Sequence, residues 1–80
     1  MSPDKLVYMA NQIGKFFASN AHDTAVADIS DHIAHFWDPR MRKQIYAHMA
    51  AKGGMDLDPL VREALEALQR KDAAEMATAK

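Results

Sequence analysis

Three Xaa-Pro steps constrain this chain more than any other feature. Proline occurs three times in 80 residues, each time after a residue that can cap a helix: Ser2-Pro3, Asp38-Pro39 and Asp58-Pro59. A Ser or Asp oxygen at the N-cap accepts one of the orphan N–H groups of the first turn, and Pro at N1 gives up a donor that would go unpaired there. The three steps therefore predict three helix starts. A fourth is expected at Asp23, after the turn-like stretch Ser19-Asn20-Ala21-His22.

Periodicity fills in the segments between these starts. Over about 3–18, Leu6, Met9, Ala10, Ile13 and Phe17 share a stripe at 100° per residue, with Phe16 on its edge and Asn11, Gln12 and Lys15 opposite. Over 24–36 the stripe is Val26, Ile29, Ile33 and Phe36, continued by Trp37, while Asp28, Asp31 and His35 form the wet side. Over 39–52 a thinner stripe of Met41, Ile45 and Met49 ends at Gly53-Gly54, a helix stop. Over 59–69, Leu60, Val61, Ala64, Leu65 and Leu68 point inward, and Arg62/Glu66 and Glu66/Arg70 are outward i,i+4 pairs. Val7, Tyr8 and Tyr46 fall off their stripes. From Lys71 the pattern is lost in an alanine-rich, charged stretch that either extends the last helix or frays. The expected fold is all-α, a small bundle of three to four short helices, with one domain over 1–70 and a polar tail over 71–80.

Composition then excludes function classes. Of the 39 apolar residues 15 are alanine, which leaves enough for one small core. Such a core predicts a marginal monomer, or a chain that forms a homodimer when isolated or leans on a partner. Ten basic against eleven acidic residues give no basic field for nucleic acid. The absence of cysteine removes disulfides, thiolate zinc sites and iron–sulfur clusters. No apolar run is long enough to cross a membrane, and the N-terminus lacks the pattern of a secretory signal, so a cytoplasmic location is expected.

Candidate chemistry is sparse. Ser2, Ser19 and Ser30 are the only serines, and a bundle this small has little room for an enzyme-sized pocket, so no catalytic residue is assigned. Asp28/His32 and Asp31/His35 are i,i+4 pairs that could share a divalent cation, or simply form a solvated helix face. His48 lies at the margin of its helix's stripe, as a boundary residue with one nitrogen in water. Arg40-Met41-Arg42-Lys43 puts three cations in the first turns of a helix, where the backbone is already positive. That spot can hold a partner's carboxylates or a phosphate, unless Asp38 neutralises it. At the tight corner Phe36-Trp37-Asp38-Pro39, Trp37 and Arg42 stand at hydrophobic-staple spacing, with the Arg42 stem and cation offered to the indole.

Four stretches carry a family resemblance: Leu6-Val7-Tyr8-Met9-Ala10-Asn11-Gln12-Ile13 followed by Phe16-Phe17; Ile29…His32-Ile33 leading into Phe36-Trp37-Asp38-Pro39-Arg40-Met41-Arg42; Ile45…His48; and Leu57-Asp58-Pro59-Leu60-Val61. With them the chain resembles the delta subunit of bacterial NAD-dependent, molybdenum- or tungsten-containing formate dehydrogenases, over roughly residues 3–68. The Phe-Trp-Asp-Pro-Arg-Met-Arg stretch is the most specific part.

The resemblance implies a non-catalytic accessory subunit that docks on the large molybdopterin-containing subunit and assists assembly, cofactor insertion or stability. The molybdopterin, iron–sulfur clusters and flavin would sit in the other chains, with no cofactor in this one. Trp37, Arg40 and Arg42 at the corner, with Tyr8, are the expected partner-binding residues, because Arg and aromatic residues are the usual interface anchors. Two alternatives stay open: a small ligand- or metal-binding regulator using the His32/His35 face, and direct handling of the molybdopterin, its phosphate resting on the positive helix start at Arg40.

Overall fold

The computed structural model describes residues 2–78, and the side chains of 2–75. Four helices follow in order: α1 (Pro3–Phe17), α2 (His22–Phe36), α3 (Pro39–Lys52) and α4 (Pro59–Thr78). Among the described residues there is no strand. The fold is the all-α bundle that the sequence predicts.

The starts at Pro3 and Pro39 are capped as their sequences dictate. Ser2 accepts from the Lys5 N–H, and Asp38 Oδ1 accepts from the Met41 N–H at 2.9 Å. At the end of α3, Gly53 takes the left-handed conformation, φ 71°, that a side chain would strain. The start of α2 differs from expectation. It begins at His22, one residue before the expected Asp23, and its N-cap is Ala21, which offers no side-chain oxygen. The alanine-rich stretch from Lys71 is helical as far as Thr78; residues 79 and 80 lie outside the described residues.

α1 touches all three other helices, and α2 packs most extensively on α4. The core is Leu6, Ile29, Ile33, Ile45, Val61 and Leu65, all fully buried, with Trp37 and Leu57 closing its ends. Gly14 is buried on α1 where Val61 of α4 crosses, and a Cβ there would collide with the Val61 side chain. Three expectations are corrected. Val7 and Tyr46, expected off the stripes, are buried: α1 meets three other helices, and Tyr46 is bonded to Asp72 of α4. Phe36 was expected on the α2 stripe and is 72% exposed, since the helix ends there and Trp37 takes the inward space. Glu63 pairs with His22 of α2 at 2.6 Å, tying α4 to the start of α2.

Candidate partner-binding surface

The α2–α3 corner is held by Arg42. Its Nη1 donates to the carbonyl oxygens of Trp37 at 2.9 Å and Ala34 at 3.4 Å, the last carbonyls of α2, where the helix dipole favours a cation. Its Nε donates to Asp72 Oδ2 at 3.0 Å. The expected stacking of the cation on the indole thus gives way to hydrogen bonds around it. Tyr46 Oη donates to the same Asp72 oxygen at 2.7 Å. One carboxylate from α4 therefore joins two α3 side chains one turn apart. Burial pushes the Tyr46 phenol well above its usual range, and the bond to Asp72 raises it further. Sequence reasoning missed Asp72, which stands in the stretch where periodicity fails.

The four expected contact residues divide into two pairs. Trp37 is buried, 4% exposed, and the Arg42 side chain is mostly covered. In the free chain both build the α2–α3 corner. Arg40 and Tyr8 are exposed, Tyr8 by 65%. The positive start of α3 keeps Arg40 and Lys43 in solvent, while Asp38 caps the backbone and Asp72 takes Arg42. Beside this start a cleft of about 500 Å³ opens between α3 and α4, lined by Pro39, Arg42, Lys43, Tyr46 and Asp72 among others. Acidic Asp72 stands in it against the cations, so it is a mixed-charge cleft.

The His/Asp face of α2 makes contacts within the chain. His32 stacks on Phe36 with ring centroids 4.6 Å apart, and Phe17 meets its edge at 6.1 Å. His35 Nδ1 donates to the Asp31 carbonyl oxygen at 2.8 Å, and Asp28 accepts from the Asn20 amide at 3.0 Å. Among the described residues no three His, Cys, Asp or Glu side chains come together to hold a metal ion.

A second polar cluster fixes the α3–α4 connection. Asn11, expected on the wet side of α1, donates to the Asp56 carbonyl at 3.1 Å and accepts from the Asp58 N–H at 2.9 Å. His48 Nε2 donates to Asp56 Oδ2 at 2.7 Å. That bond is the main reason the Asp56 carboxyl is held below its ordinary value. His48 is thereby partnered through Nε2, with its side chain 8% exposed.

The model of one protein family, described as NADH-dependent formate dehydrogenase delta subunit FdsD, matches residues 5–65. That span runs from α1 through the connection to α4 and into its first two turns. The chain belongs to this family. No curated protein and no solved structure gives a significant match. The resemblance read from Phe36-Trp37-Asp38-Pro39-Arg40-Met41-Arg42 is thus supported by a family match that includes this corner. As a delta subunit of formate dehydrogenase, the chain is one component of a larger enzyme. No helix among the described residues is long and apolar enough to cross a membrane. The family match ends seven residues before Asp72, so the carboxylate that locks Arg42 and Tyr46 lies outside it.

Proposed function

We propose that this chain is a non-catalytic accessory subunit of a cytoplasmic NAD-dependent formate dehydrogenase. It docks on the large molybdopterin-containing subunit and assists assembly, cofactor insertion or stability. The carrying observation is the family match across residues 5–65. The use of the polar side chains supports the reading: Arg42, Tyr46, Asp72, Asn11, His48 and Asp56 all hold helices or loops to one another. Molybdopterin, iron–sulfur clusters and flavin reside in the other chains, and this one carries no cofactor. Arg40 and Tyr8 make contact with the partner, while Trp37 and Arg42 act from behind by fixing the corner that presents Arg40.

The test is enzyme made with and without this chain. Without it, NAD-linked formate oxidation falls together with the molybdopterin content or the amount of assembled complex, and the purified chain alone oxidises no formate. A fully assembled, cofactor-loaded enzyme of unchanged activity and lifetime in its absence would refute the proposal.

A further inference from the structure

Among the described residues, three of the four most exposed large apolar side chains are aromatic, and they border one groove. Tyr8 is 65% exposed, Phe16 78% and Phe36 72%; the fourth, Met55 at 87%, sits apart in the α3–α4 connection. The groove runs between α1 and α2 as two adjoining hollows. One, of about 370 Å³, includes Tyr8, Phe36, Trp37 and Met41 in its lining; the other, of about 300 Å³, includes Phe16 and Phe17. Both share Gln12, Ile13 and His32. The aromatics form a connected string: Phe16 on Phe17 at 5.0 Å, Phe17 on His32 at 6.1 Å, His32 on Phe36 at 4.6 Å. Held against one another in this way, they lose less freedom when something packs on them.

The groove also has opposite charges at its two ends. Lys5 lies one turn before Tyr8 and Met9, and Arg40 precedes Met41, so both cations flank the Tyr8/Phe36 hollow. Asp28, one turn before His32 and bonded to Asn20 just beyond Phe17, puts acidic charge at the Phe16/Phe17 end, and Asp31 adjoins His32 in sequence. Neither Lys5, Arg40 nor Asp31 pairs with another charged group among the described residues. The described residues form no strand and so no free strand edge, and an extended peptide would gain no backbone ladder here. A helix satisfies its own backbone and presents side chains from successive turns on one face, which suits two hollows in line. Its dipole matches the groove when its N-terminal end lies by Asp28 and Asp31 and its C-terminal end by Lys5 and Arg40.

We infer that the α1/α2 groove is where the delta subunit receives its partner: an amphipathic helix of a formate dehydrogenase subunit, with apolar side chains in both hollows and its axis oriented by the charges at the groove ends. This inference rests on the accessory-subunit reading and gives that reading a surface. Phe16 and Phe36 are the anchors, and Tyr8 and Arg40 border the hollow at the α2–α3 corner.

The test measures binding of the full chain to formate dehydrogenase subunits prepared without it. Phe16→Glu/Phe36→Glu changes only exposed positions, and circular dichroism checks that the fold is kept. Wild type binds; the double variant binds at least about 100-fold more weakly, at tenfold or more per anchor; Met55→Glu binds as wild type. The milder Phe16→Ala/Phe36→Ala pair loses at least about tenfold, which keeps the test valid should the glutamates disturb folding. Asp31→Lys also weakens binding. Wild-type affinity in both Phe pairs would overturn the groove and leave the accessory reading standing. Failure of the wild-type chain to bind would overturn that reading and the groove with it. Loss of self-association in the Phe pairs, with enzyme binding unchanged, would give the groove to a second copy of this chain and overturn the inference.

Discussion

Replacing Tyr46 with Phe removes one oxygen from the join between α3 and α4 and tests why the chain stays helical past residue 70. Tyr46 is 9% exposed, and its hydroxyl donates to Asp72 Oδ2 at 2.7 Å beside the Arg42 guanidinium. A hydrogen bond to a charged acceptor contributes about 1.5–3 kcal/mol. The Asp72 side chain is 22% exposed, so water recovers part of the loss and keeps the cost of Tyr46→Phe at about 1–2 kcal/mol. For a domain this small that lowers the thermal midpoint by roughly 5–12 °C. The pH dependence carries a second signature. Folding raises the Tyr46 phenol well above its unfolded value near 10, so its contribution is complete below that pH and is lost as pH rises toward the folded value. Wild type therefore loses stability above about pH 10 more steeply than Tyr46→Phe, and the gap between them narrows. Urea unfolding of both proteins from pH 7 to 11.5 reads both effects. A gap below a few tenths of a kcal/mol at pH 7, or one that stays constant to pH 11.5, would refute the role given to the Tyr46–Asp72 bond.

Three further perturbations follow from the fold. Asp38→Ala deletes the cap that accepts the Met41 N–H at 2.9 Å and is expected to cost about 1 kcal/mol in chemical denaturation. Gly14→Ala gains about 1 kcal/mol of helix propensity but overpacks the Val61 contact by about 1–3 kcal/mol, so the net is a loss. The combined Gly14→Ala/Val61→Ala variant should then lose less than the sum of the single changes, and additive values in a double-mutant cycle would rule the clash out. Asp56 titrates below its ordinary value in the fold, so its bond with His48 adds stability above about pH 4 and loses it as pH falls further. Asp56→Asn should therefore show a shallower stability loss between pH 5 and 2 than wild type, and parallel curves would contradict that. Because the Asp56 side chain is 43% exposed, the effect is small.

The legible parts of this fold are those written in local chemistry. The Xaa-Pro steps mark the starts of α1, α3 and α4, Gly53 marks the end of α3, and the stripes identify Leu6, Ile29, Ile33, Ile45, Val61 and Leu65 as core. What a single stripe does not reveal is how many neighbours a helix has. α1 meets three, so its buried arc widens to include Val7 and the bare Gly14. The burial of Tyr46 is hidden for a related reason: the partner of its hydroxyl lies 26 residues ahead in a stretch with no periodic signal. At the candidate surface, Arg40 and Tyr8 stand in solvent, but Trp37 and Arg42 are drawn inward by the corner they build. Phe16 and Phe36 were read as helix-face residues, one on the stripe's edge and one within it. Their exposure arises because α1 and α2 leave an open groove where they meet, which only the packing of the two helices defines.

The central claim is that this chain works as part of a formate dehydrogenase. It is tested most directly by isolating the tagged chain from its own host grown with formate and reading the co-purifying chains and their stoichiometry by native mass spectrometry. The account predicts the large molybdopterin-containing subunit in fixed ratio with this chain, together with the flavin and iron–sulfur subunits. Recovery of this chain alone or as a homo-oligomer, under conditions in which the other subunits remain assembled, would contradict it.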